Sequence, residues 1–195
     1  MVALAGSAAV TSAAVLNLSI AATSGELVLD DGSARAPLPG GTPVVVGTLS
    51  GMIADGADYD TIFGMMTPIE TVAVGDGFGG IAGFLNVNGQ ADDASDPSTG
   101  QLYALIGEGV TFAAVTNAAW QLGGFTSPPA PPNTLGLQLA AQANEIVGGS
   151  AVWDPAGGMT NPGAVPGALV ISPIPEPSAG VLAALALGVF FRRRR

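Results

Sequence analysis

The chain has 195 residues, of which 48% are hydrophobic and only 10% charged, against about 25% charged in a typical soluble domain. It contains no cysteine, histidine or lysine, and 15 acidic residues outnumber five arginines for a net charge of −10. These absences exclude disulfides, thiolate nucleophiles, Ser-His-Asp triads and zinc sites built on Cys or His, while the negative charge opposes binding to nucleic acid and anionic lipid.

In chain order, Val2 to Val10 is a small apolar run, and Thr11-Ser12-Ala13-Ala14 is a small-residue pattern suited to signal-peptide cleavage after Ala14. Ser19-Ile20-Ala21 is a second candidate cleavage site. No Lys or Arg follows Met1, so the positive n-region is missing: either the true start lies upstream, the favoured reading, or the signal is a weak one. Residues 1–14 therefore read as signal-like, and 15–153 as one β-rich domain. About 160 residues remain between the two ends, enough for a sizeable core.

Val15 to Ile20 alternates Leu16, Leu18 and Ile20 with Asn17 and Ser19, a half-buried strand. Gly25 to Leu29 follows as a hairpin partner, with Asp30-Asp31-Gly32 as the next turn. Pro43 to Ser50 carries three consecutive valines, the signal of a strand buried on both faces. Further strands are expected at Ile69 to Val74, Ile81 to Val87, Gln101 to Ile106, Val110 to Thr116 and Ala118 to Leu122. Gly107-Glu108-Gly109 predicts a tight hairpin between two of them. Leu139, Ala143, Ile146 and Val147 sit at helical spacing before Gly148-Gly149, which predicts a short helix within Leu135 to Val147. Many short strands with glycine-rich turns predict a mainly β fold, an antiparallel sandwich or barrel-like domain with that short helix.

Two proline-rich stretches interrupt the pattern. Ser127 to Asn133 holds four prolines and reads as an extended loop. Residues 154–173 read as a Pro/Gly-rich spacer, within which Ala168 to Ile171 could form a closing strand.

Few residues in the body suggest chemistry. Gly75-Asp76-Gly77-Phe78-Gly79-Gly80 matches G-x-G-x-x-G, but Ile81 to Gly89 offers no helical face to hold a pyrophosphate, so a glycine-rich turn is expected. Asp55, Asp58 and Asp60 form one acidic cluster and Asp92, Asp93 and Asp96 another. Both are candidate weak calcium sites, since calcium takes oxygens from close-spaced carboxylates in flexible loops, although neither has EF-hand spacing. The alternative for each is a solvated turn. The same aspartates are the acids a carboxylate-based hydrolase would bring together across a cleft. Trp120 and Trp153 are either core residues or stacking platforms for sugar rings.

The last 22 residues carry the strongest signal. Pro175-Glu176-Pro177 follows Ile174, an uncharged run extends over 179–191, and Arg192, Arg193, Arg194 and Arg195 close the chain. As a helix the run would be about 20 Å long, short of the ~30 Å hydrocarbon core. The arginines compensate: four of the five positive charges are gathered directly behind the apolar segment, which places the C-terminus in the cytoplasm and the body across the membrane. Snorkelling and local thinning cover the missing length.

This tail resembles the PEP-CTERM sorting signal of Gram-negative envelope proteins, a triplet, hydrophobic helix and basic cluster in that order. The resemblance implies that residues 174–195 are processed by an exosortase, a membrane protease, with Pro175, Glu176 and Pro177 as its recognition residues and Arg192 to Arg195 as the membrane stop. Gly100-Gln101-Leu102-Tyr103 is similar to a segment recurring in small PEP-CTERM passenger proteins of unassigned function. The expectation that follows is an exported, non-catalytic β-domain without a cofactor. Its partners would be the exosortase and export machinery, the inner membrane and extracellular polysaccharide, and its location the inner membrane in transit and then the cell surface or medium. A secreted glycosidase-like hydrolase and a calcium-dependent adhesion module are the alternatives.

Overall fold

A computed structural model describes residues 14–92, 95–97, 99–123, 125, 133–157 and 167–174. The fold is mainly β and sandwich-like. Strands β1 (Val15–Ala22), β2 (Glu26–Asp30), β3 (Arg35–Pro37) and β4 (Pro43–Leu49) lead to helix α1 (Tyr59–Met65). Strands β5 (Met66–Ala73), β6 (Leu85–Asp92), β7 (Gly100–Glu108) and β8 (Thr111–Leu122) follow. The remaining strands are β9 (Asn133–Gln138), β10 (Glu145–Gly149), β11 (Ala151–Asp154) and β12 (Ala168–Ile171). They form a five-stranded sheet ordered β10-β8-β7-β4-β5, a three-stranded sheet β6-β1-β9 and a four-stranded sheet β11-β12-β2-β3.

The five-stranded sheet is the middle layer. One row of its side chains, Val44 and Val46 of β4, Leu102, Ala104 and Ile106 of β7, and Ala113 and Val115 of β8, packs against the two smaller sheets in the main core. The opposite row, Val45, Leu105, Phe112 and Ala114, packs under α1 through Ile62 and under the preceding loop through Ile53 and Ala57. This explains the triple valine: alternation disappears where both faces are dry. In β1 the expected alternation holds, with Leu16, Leu18 and Ile20 buried and Asn17 and Ser19 partly exposed.

The connectivity departs from the sequence reading in several places. β1 and β2 are not a hairpin. Both edges of β1 are occupied, by β6 antiparallel and β9 parallel, while β2 lies between β3 and a parallel β12. The chain turns between them where Thr23 and Ser24 donate to Gln138 Oε1. The sheets are therefore mixed rather than purely antiparallel.

No helix forms within Leu135 to Val147. Leu139 and Ala140 are buried beyond the end of β9, and the Asn144 amide donates to the Gln138 and Leu139 carbonyls at 2.7 and 2.8 Å. Glu145 onward is then free to pair with β8. The one helix among the described residues is α1, in the acidic segment. Asp58 supplies its N-cap, its carboxylate accepting from Thr61 N–H at 2.8 Å.

The expected strand Ile81 to Val87 is displaced to Leu85–Asp92, because residues 76–84 belong to the glycine loop. The two strands expected at Val110 to Thr116 and Ala118 to Leu122 are one, β8, broken by a bulge. Its register with β7 jumps from Gln101 opposite Gln121 to Tyr103 opposite Thr116. The Gly107-Glu108-Gly109 hairpin forms as expected, with Glu108 opposite Thr111.

Residues beyond Trp153 return to the domain. β12 is buried at all four positions and pairs with β11 and β2, so the closing strand exists and the chain crosses back into the sheet before the tail begins.

The G-x-G-x-x-G segment is a turn, with φ positive at Gly75, Gly77, Gly79 and Gly80. Its glycines serve close backbone approach: a Cβ on Gly77 would fall on the Asn86 carbonyl, whereas one on Gly79 would meet open space. Gly77→Ala is expected to lose well over ~1 kcal/mol in denaturant unfolding, and Gly79→Ala about that much from its backbone strain alone. Equal losses would show that the Asn86 carbonyl yields.

Candidate functional site

A polar cleft of about 520 Å³ opens at the end of the five-stranded sheet where β4 finishes and β7 begins. The bulge in β8 builds its floor. The Gln101 amide nitrogen fills the bulge, 2.8 to 3.1 Å from the Leu102, Asn117 and Trp120 carbonyls and the Thr116 hydroxyl. Thr116, buried, donates in turn to the Leu102 carbonyl at 2.7 Å, and Gln121 Nε2 donates to Gln101 Oε1. This network satisfies the backbone groups that the bulge removes from the ladder. It also fixes Tyr103, Thr116 and Ala118 along one wall.

The opposite wall is the loop before α1, with Met52, Ile53 and Asp55, and the third side is edge strand β10, with Glu145, Ile146 and Val147. Met52 is 95% exposed. Two carboxylates, Asp55 and Glu145, thus face a cleft whose remaining lining is amide, hydroxyl and apolar. Such a surface suits a neutral hydroxyl-rich or a cationic ligand through hydrogen bonds and apolar contact.

A second site lies at the β7–β8 turn. Ile174 N–H donates to the Val110 carbonyl at 2.7 Å, tying the last described residue to the β7–β8 turn. Its side chain packs against the cluster of Phe112 and Tyr59, whose rings meet edge to face at 5.8 Å. Burial, together with the charges of Glu108 and Asp60, pushes the Tyr59 phenol above its ordinary value. A smaller cleft of about 440 Å³ lies at this same end, lined by Leu38, Pro39, Thr42 and Glu108 among others.

The acidic clusters do not converge. Asp55 lines the cleft, Asp58 caps α1 and Asp60 stands in its first turn. Asp92 ends β6 on the other side of the core, where its N–H donates to Asp96 Oδ2 at 2.8 Å, and Asp93 lies outside the described residues. No group of three or more acidic side chains among the described residues is placed to hold a metal ion. The cleft acid opposite Asp55 is Glu145, which sequence reasoning missed. Its own strand, β10, begins inside the segment expected to be a helix.

Trp120 is buried in the core, and Trp153 packs against it, the indole pressed on Gly25 and Gly167. Trp120 therefore presents no open ring face, whereas Trp153 is half-buried. Pro175, Glu176, Pro177, the run 179–191 and Arg192, Arg193, Arg194 and Arg195 lie outside the described residues, as does the signal-like segment before Ala14. Among the described residues no helix is long and apolar enough to cross a membrane.

Four surface carboxylates are held below the ordinary aspartate value of 3.8. Arg35 lowers Asp30 and Asp154, at 2.9 and 2.6 Å, with N–H groups of Gly32 and Ala156 adding to it. The Ser33 hydroxyl and neighbouring N–H groups lower Asp31, and Thr61 lowers Asp58. A group whose folded value is depressed stabilises fully above its unfolded value and loses that contribution as pH falls through the folded one. Unfolding temperature should therefore hold down to pH 3.8 and decline below it. Arg35→Gln removes the main cause for Asp30 and Asp154, so thermal melts across a pH series should show a shallower acid limb. An unchanged limb would show that the guanidinium does not set these carboxylates.

Compared with models of known protein families, with curated proteins and with solved structures, the chain matches none.

Proposed function

We propose that the chain is an exported cell-envelope protein whose C-terminal segment is a PEP-CTERM-type sorting and anchoring signal, processed by an exosortase. The observation that carries this reading is the order of three elements in residues 174–195: Pro175-Glu176-Pro177, an uncharged run, and four consecutive arginines. In this reading the tail engages the inner membrane during transit, and the body reaches the cell surface or the medium. Cutting after the triplet leaves all 15 acids with Arg35 alone, a net charge of −14. The body is then a non-catalytic β-domain. A domain without cysteine, histidine or lysine lacks the side chains most often used as nucleophile or general base. Its hydrogen-bonding cleft suits association with a hydroxyl-rich extracellular polysaccharide.

Expression in the native host with and without exosortase, followed by C-terminal mass measurement and fractionation, tests the sorting step. The expected result is a product ending near Pro177 and released from the inner membrane only when exosortase is present. An intact tail in both strains would overturn the proposal.

A further inference from the structure

Ile174 anchors the chain beside α1, and the surface there is apolar. Phe63, 42% exposed, stacks on Tyr59 with ring centroids 5.7 Å apart. Val110, 46% exposed, carries the carbonyl that accepts from Ile174 N–H. Tyr59 and Ile174 are themselves partly exposed members of the same cluster. Ile174 is the last described residue before the tail.

The separation between that point and the apolar run is small. Residues 175–178 alone stand between Ile174 and Ala179, and five fully extended Cα steps reach at most about 18 Å. The headgroup zone occupies roughly 5–7 Å of that. Once the run 179–191 is in a bilayer, the domain has no stalk. It must lie with its exit point at the lipid surface.

We infer that Phe63 and Val110, with Tyr59 and Ile174, form a membrane-apposed face that rests on the lipid interface while the tail is anchored, an inference that rests on the anchoring proposed above. Two exposed apolar side chains at a tethered surface gain by entering the headgroup–acyl boundary. The carboxylates beside them, Glu108 and Asp60, both close enough to act on Tyr59, set the lipid preference. They favour a zwitterionic surface and are repelled by an anionic one.

The chain has no cysteine, so Phe63→Cys, Val110→Cys, Asn88→Cys and Leu185→Cys each carry a single fluorophore. Asn88 is exposed on β6, in the sheet on the other side of the core from α1, and Leu185 sits within the apolar run. The full chain is reconstituted into phosphatidylcholine vesicles containing lipid spin-labelled near the headgroup, with circular dichroism to check that each variant is folded. Labels at 63 and 110 should be quenched at least about twofold more than the label at 88, as expected for side chains at interfacial depth. Replacing half the lipid by phosphatidylglycerol should weaken that quenching while leaving Leu185→Cys unaffected. Quenching at 185 with equal quenching at 63, 110 and 88 would overturn the membrane-apposed face and leave anchoring intact. Absence of quenching at 185 would overturn anchoring, and this inference with it.

Discussion

Everything in the fold depends on the five-stranded sheet being dry on both faces. A sheet with one solvated face needs a single apolar row per strand, whereas β4, β7 and β8 present two, and each row requires its own cover. The three- and four-stranded sheets cover one side together, which is why Leu18 and Ile20 of β1, Leu27 of β2 and Leu169 and Ile171 of β12 all belong to one core. A single short helix and the loop before it cover the other. That loop is held down by Ile53 and Ala57, and its departure from the sheet opens the cleft beside Tyr103 and Thr116. Ile174 is tied to the opposite end of the same face, at Val110. Five to six residues of β8 separate the two, roughly 20 Å of strand.

The individual strands were legible because burial writes itself locally. The alternation of β1, the valine run of β4 and the glycine-bounded turn between β7 and β8 all reflect which face of a single strand is wet. Pairing was not legible, because a residue carries no mark of a partner more than a hundred positions away. β1 looks like half of a hairpin until β9 is seen to occupy the edge that β2 would have used. The helical spacing of Leu139, Ala143, Ile146 and Val147 was coincidental, and tertiary pairing with β8 overrode a weak local preference. The real helix did leave a trace, Asp58 three residues before Thr61, but the acids around it read as a cluster for metal. The cleft was hidden for a related reason. Gln101, Thr116 and Glu145 come from three strands, and only the bulge and the edge position of β10 bring them together.

Charge is used sparingly in this body. Arg35 is the one basic side chain among the described residues, and it bridges Asp30, its neighbour across β2–β3, to Asp154 at the far edge of the same sheet. The outward row between those edges is apolar, with Val28, Ala168 and Val170 buried. The other turns are ordered largely by aspartates that accept from nearby N–H groups, Asp31 from Ser33 and Ala34, Asp58 from Thr61 and Asp76 from Ala73.

The parallel pairing of β2 with β12 also fixes a timetable. Leu27 lies opposite Leu169 and Leu29 opposite Ile171, so a strand made among the first thirty residues waits for a partner made almost last. Contacts of such sequence separation are slow to form, and an emerging chain keeps the edge of β2 unpaired until residue 171 is free. By then the apolar run is only a few residues behind. Completion of the fold and arrival of the hydrophobic segment are therefore nearly simultaneous.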